Sequence, residues 1–276
     1  MKLLSQGRRL LFSTVRIETK SVAGAPVGAG TSFVFCDPDS LTGHELFLVS
    51  NKHMIESAWI AYLFFTSCDA DCQPSVGSPF FLQLEGFSSL WHGHPDPNVD
   101  ITVMPLSWQL DLIAKDGKRA FLTPISPADV PTDQELEGID VASPVVFVGY
   151  PNGMFDQKNY TPIVRQGFIA TPPELDYGGA PVFLIDASIF PGSSGSPVFS
   201  YAHSWDGNIA SAKLLGVISA VYTQLTDGQI EWRPAPTDVV PVPSINQMID
   251  LGVVFKARLI REVIADFWLA NRGHVP

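Results

Sequence analysis

The chain has 276 residues, a formal net charge of −11 and 46% hydrophobic side chains. With 17 Lys and Arg against 28 Asp and Glu, and no basic run, nothing is available to neutralise a phosphate backbone, which excludes nucleic acid as the principal partner. Three cysteines do not make the paired framework of a small secreted domain, and 22 Gly with 23 Pro cut the chain into short segments that favour strands and turns over long helices.

Taken from the N-terminus, Met1-Lys2-Leu3-Leu4 and Arg8-Arg9 are followed only by Leu10-Leu11-Phe12 before polar residues. That is no apolar core of leader length, no small-residue cleavage site follows, and no later stretch reaches the length of a membrane span. The expectation is a cytoplasmic protein without membrane contact. Gly28-Ala29-Gly30 lacks the third glycine and the helix of a dinucleotide site. Residues 45–49, 59–66, 80–84 and 145–149 are apolar or alternating runs that read as strands. Cys68-Asp69-Ala70-Asp71-Cys72 and His92-Gly93-His94 match no standard zinc spacing, so neither a metal nor a cofactor is expected. Oxidation of Cys68 and Cys72 to a disulfide stays open. His92 and His94 read as a loop bordering a cleft. Near the C-terminus, Ser244 is placed to cap a helix over 245–251 that stops at Gly252. A second helix is expected over 255–270, where Leu259, Ile260, Val263, Ile264, Phe267 and Trp268 recur at helical spacing. Its stripe packs on the body of the fold, or serves a partner or self-association.

The segment carrying chemistry is Asp186-Ala187-Ser188-Ile189-Phe190-Pro191-Gly192-Ser193-Ser194-Gly195-Ser196-Pro197. Two glycines let the backbone take positive φ, which exposes the Ser194 hydroxyl and converges the amides of Gly192 and Ser194 on one point. Two such donors beside a nucleophile form an oxyanion hole. A serine hydroxyl needs a base, and the base needs an orienting group. His53 follows the strand-like run Phe47-Leu48-Val49-Ser50-Asn51-Lys52, and Asp100 opens Ile101-Thr102-Val103-Met104-Pro105-Leu106, where its carboxylate is expected to be half buried at a strand start. The roles follow: Ser194 nucleophile, His53 base, Asp100 orienter.

The order His53, Asp100, Ser194 resembles that of chymotrypsin-fold serine proteases, and within them the HtrA-like, trypsin-like bacterial branch. Gly28-Ala29-Gly30-Thr31-Ser32-Phe33 is similar to its early glycine-rich strand, with Ser32 replacing the last glycine. Val148-Gly149-Tyr150-Pro151-Asn152-Gly153 is similar to the start of its second barrel, and Val240-Pro241-Val242-Pro243-Ser244-Ile245 to its exit. Ser193 and Ser196 stand where the family more often has Asn and Gly, and Met54 where it prefers a small or valine-like residue. The resemblance implies a mainly all-β fold of two six-stranded antiparallel β-barrels with the site between them. Residues 1–130 form the first, carrying His and Asp, and 131–252 the second, carrying Ser. A C-terminal helical extension fills 253–276, with no PDZ-like domain. It implies a serine endopeptidase acting on protein or peptide substrates. The pocket floor falls at Ser188 and Ile189 and its wall at Ser219, Ala220 and Val221, with no acidic residue to pair with Lys or Arg. A small or medium apolar residue is therefore expected before the scissile bond. Where zymogens carry an Asp before the nucleophile this chain has Ser193, which implies activity without N-terminal processing. The alternative is a silent homologue that binds protein without cutting it.

Overall fold

The computed structural model describes residues 5–40, 43–203, 209–227 and 244–271. In chain order the elements are α1 (Gln6–Leu10), β1 (Thr14–Lys20), β2 (Pro26–Ser40), β3 (Gly43–Ser50), α2 (Lys52–Ile55), β4 (Ile60–Cys68), β5 (Pro74–Glu85), β6 (His92–Gly93) and β7 (Thr102–Pro105). Then come α3 (Ser107–Lys115), β8 (Ala120–Phe121), α4 (Asp133–Glu137), β9 (Pro144–Gly149), β10 (Ile163–Ile169), β11 (Val182–Asp186), β12 (Pro197–His203), β13 (Ile209–Asp227), β14 (Ser244–Lys256) and α5 (Arg258–Ala270).

The second half is a closed antiparallel barrel, β10-β11-β14-β13-β12-β9. The first half departs from the expected pair of barrels. Its eight strands make a sheet in the order β5-β4-β1-β2-β3-β7-β6, with β8 added on β4, and the sheet does not close. The reason lies at its ends: β6 is two residues long and has β7 as its partner, so it offers no edge long enough to meet β5. Period-two burial still operates within the sheet. Val15 and Ile17 of β1 are fully buried and pack with Leu48, Leu63 and Phe87 in a core of their own. The barrel has a separate core that includes Val145, Phe147, Phe183 and Val254. A third cluster joins the halves, and Phe33, Phe47 and Ile101 meet Val146, Val148 and Phe199 there. This explains why β9 is an unbroken apolar run, because Val145 and Phe147 face the barrel while Val146 and Val148 face the junction.

The helix expected over 245–251 is a strand instead. β14 runs through it: Ser244 to Met248 pair with Asp227 to Thr223 of β13, and further along Leu251 to Val253 pair with Asp186 to Leu184 of β11 and residues 252–256 with 216–221 of β13. The ladder with β13 satisfies the backbone groups of 244–248 on one edge, which outweighs the local cap and stop signals of Ser244 and Gly252. The segment also holds Asp250 at φ 58, where the register against β13 shifts. The C-terminal helix is present but starts at Arg258, because residues 255 and 256 finish the strand.

α5 leaves the barrel and lies across the first sheet. Leu259, Ile260, Val263 and Ile264 are buried in the joining cluster. The Phe267 and Trp268 rings stand edge-on to Phe47 at 5.4 and 5.9 Å, and Trp268 Nε1 donates to Asp37 Oδ2 at 2.8 Å. The aromatic stripe therefore covers the sheet of its own chain. Trp268→Ala removes that cover and its hydrogen bond, and is expected to cost about 2 kcal/mol. In a chain of this size that is a fall of roughly 4–8 °C in Tm, measured by circular dichroism on heating. An unchanged Tm shows that the helix does not brace the sheet.

Candidate active site

β3 ends at Ser50, Asn51 remains extended, and the single turn of α2 then presents His53 at the strand's end. Asp100 grips it with both carboxylate oxygens. Oδ1 accepts the His53 backbone N–H at 3.1 Å, and Oδ2 lies 2.6 Å from Nδ1. A carboxylate at that position calls for a proton on Nδ1, which leaves Nε2 as the acceptor. Two further contacts hold the carboxylate in place. Ser219 Oγ donates to Oδ2 at 2.5 Å, and Asn51 Nδ2 donates to the Asp100 carbonyl at 2.7 Å. Burial acts to raise the Asp100 pKa, but the hydrogen bonds from His53 and Ser219 and the attraction of His53 together hold it below its ordinary value. Beside them Lys52 Nζ donates to the carbonyls of His94 and Asp96 and ties down the segment leading to Asp100. Met54 has its Cε 2.0 Å from where a Cβ on Gly30 would stand, so the glycine supplies the room that side chain needs.

Across the junction lies the turn of Ser194. Gly192 and Gly195 have φ of 86° and 81°. A Cβ on Gly195 would fall 1.9 Å from the Thr31 carbonyl oxygen, so no other residue fits. The amides of the turn divide into two sets. Ser193 N–H donates to Phe190 O at 3.0 Å, Gly195 N–H to Ile218 O at 2.9 Å and Ser196 N–H to Ser193 O at 3.0 Å. Among the described residues, the N–H groups of Gly192 and Ser194 have no partner. The Ser194 hydroxyl donates to the Ser219 carbonyl at 3.3 Å and makes no bond to His53. Ser219 thus touches both parts of the site, its hydroxyl on Asp100 and its carbonyl on Ser194.

Among the residues expected to shape a substrate pocket, Ser188 is half buried, Ala220 is exposed and Val221 is half buried on the barrel core. Ile189 is buried within that core. Ser219 sends its side chain to Asp100. Ser219, expected in the pocket wall, instead bonds the carboxylate, and nothing in Ile218-Ser219-Ala220 signals which side the hydroxyl faces. Nor does the sequence signal Asn51, or Thr31 as more than part of a glycine-rich strand. His92 and His94 face the C-terminal helix, with Nε2 of His92 2.7 Å from Asp266 Oδ2 and Nε2 of His94 3.4 Å from Glu262 Oε2. The three cysteines are free thiols, and no group of three or more metal-ligating side chains gathers among the described residues.

No family model matches the chain. No curated protein sequence matches it either. Among solved structures it is similar to the crystal structure of the Rv3671c protease from M. tuberculosis in its active form, at 18% identity and a TM-score of 0.48, covering 94% of this chain and 82% of that one. A likeness at that level says nothing of the chemistry, which rests on the residues themselves.

Proposed function

We propose that the protein is a serine endopeptidase of the chymotrypsin type, of the HtrA-like kind its motifs resemble, with Ser194, His53 and Asp100 as its triad. The Ser194 hydroxyl turns from the Ser219 carbonyl to Nε2 of His53 and gives up its proton as Oγ attacks the peptide carbonyl. The oxyanion is received by the N–H groups of Gly192 and Ser194. His53 then passes the proton to the leaving amine, and water hydrolyses the acyl-enzyme by the same path. The observation that carries the reading is that the Gly192 and Ser194 amides have no partner among the described residues, beside a Ser194 hydroxyl whose neighbour, Ser219, is also bonded to the carboxylate that grips His53. The residue before the scissile bond is a small or medium apolar one, and cleavage mainly after Arg or Lys overturns that part.

A second reading, a silent protein-binding homologue, is favoured by the direction of the Ser194 hydroxyl, which points at a carbonyl and not at His53. A fluorophosphonate separates the two. The first predicts stoichiometric labelling of Ser194, located by peptide mass spectrometry. The second predicts none, and labelling at another serine defeats both.

A further inference from the structure

Donors act on an oxyanion only when their direction is set before it forms. A turn built on two positive-φ glycines does not set that direction by itself, since glycine is the residue with most freedom to lose. The Ser194 turn must be held from outside, and the hydrogen bonds identify what holds it. The plane that aims the Gly192 N–H is fixed at its other end, where the Pro191 carbonyl accepts from Asn152 N–H at 2.5 Å. The plane that aims the Ser194 N–H is fixed likewise, through the Ser193 carbonyl and Ser196 N–H. Between and after these planes, the carbonyls of Gly192 and Ser194 both go to one residue. Thr31 Oγ1 donates to Gly192 O at 3.0 Å, and Thr31 N–H donates to Ser194 O at 3.1 Å.

The same Oγ1 accepts from Tyr150 N–H at 3.2 Å, two residues before Asn152. One hydroxyl therefore links the nucleophile turn to the segment that anchors Pro191. Thr31 is itself immobilised: it is fully buried, and its carbonyl accepts from Ser50 Oγ at 2.9 Å and closes on Gly195. It belongs to β2 of the first half, while everything it holds belongs to the second.

We infer that Thr31 is a positioning residue of the site, its hydroxyl setting the Ser194 turn so that the Gly192 and Ser194 amides face the same point. It touches no reacting atom and acts through Gly192. The inference rests on the serine-peptidase reading of that turn. Its specific content is that the hydroxyl, not the bulk, does the work.

Thr31→Val keeps the shape and removes the hydroxyl, whereas Thr31→Ser keeps the hydroxyl and removes a methyl. With a chromogenic peptide amide, the valine variant is expected to lose roughly 10- to 100-fold in kcat with KM within about twofold of wild type, and the serine variant to stay within about threefold in kcat. Assays run well below the Tm of each variant, where a residue that only braces the fold leaves kcat unchanged. If the valine variant does not fold, Thr31→Ala removes the same hydroxyl with less bulk and carries the same expectation. A folded hydroxyl-free variant within threefold of wild type overturns the inference, as does a serine variant as impaired as the valine one. Failure of the wild-type chain to label at Ser194 with a fluorophosphonate overturns the peptidase reading and this inference with it. Wild-type labelling beside a fully active valine variant overturns this inference alone.

Discussion

Ser194→Ala leaves the fold intact and lowers kcat by roughly five to six orders of magnitude, the loss typical of a nucleophile removed from a unit whose members act together. The structural cost is small because the hydroxyl makes one long hydrogen bond, to the Ser219 carbonyl, and fills no core position. Nothing else in the turn depends on it, since the positive-φ glycines and the bonds of Ser193, Gly195 and Ser196 are made by backbone. Peptide binding is expected to persist, with KM within a few-fold, because the amides of Gly192 and Ser194 remain. The measurement is peptidase activity of the purified variant against wild type, with Tm as the control. A variant that keeps a tenth of the wild-type rate removes Ser194 from the mechanism and returns the turn to an ordinary glycine-rich loop.

What could be read from the residues, and what could not, divides along a physical line. Strands at 45–49, 59–66, 80–84 and 145–149 were legible because each is a short apolar or alternating run bounded by breakers, and the structure has β3, β4, β5 and β9 there. Residues 245–251 misled because Ser244 and Gly252 bracket them like a helix cap and stop, while their state is decided by pairing with β13 and, at Leu251, with β11. Closure of a sheet is equally non-local. The longer strands of the first half were recognisable as β, but His92 and Gly93, read as a loop, form β6, and no residue announces that β6 stops after two positions and that α5 takes up the covering of Phe47. The same holds at the site. Ser194 was visible because glycines punctuate its turn. His53 and Asp100 were visible because they sit at strand ends. The groups that orient them were hidden, because Ser219, Asn51 and Thr31 contribute through which way one side chain points, and only tertiary contacts decide that.

Asp100→Asn is expected to lower kcat by roughly three to four orders of magnitude with the fold retained. The carboxylate accepts three hydrogen bonds, from the His53 backbone, His53 Nδ1 and Ser219 Oγ. An amide can keep one oxygen as acceptor, but its NH2 group must then face Nδ1 or the hydroxyl. A donor opposite Nδ1 draws the imidazole proton to Nε2, the wrong tautomer for accepting the proton of Ser194. KM is little affected, since Asp100 is not among the groups proposed to meet substrate. The pH dependence follows from the depressed pKa of Asp100, in which burial acts upward and is outweighed by the bonds from His53 and Ser219. A lowered folded-state value means that the ionised carboxylate contributes its full stabilisation above the ordinary carboxylate range. That contribution disappears only as pH falls through the lower, folded-state value. Asp100 is therefore ionised throughout the neutral range, so none of the asparagine variant's deficit between pH 6 and 9 arises from titration of Asp100 in the wild type. Ser219→Ala separates holding from charge: it removes one bond and leaves the carboxylate, so its deficit is expected to be about tenfold or less. A pH–rate profile of the three proteins tests the assignment. If the asparagine variant matches wild type at any neutral pH, Asp100 does not orient the base.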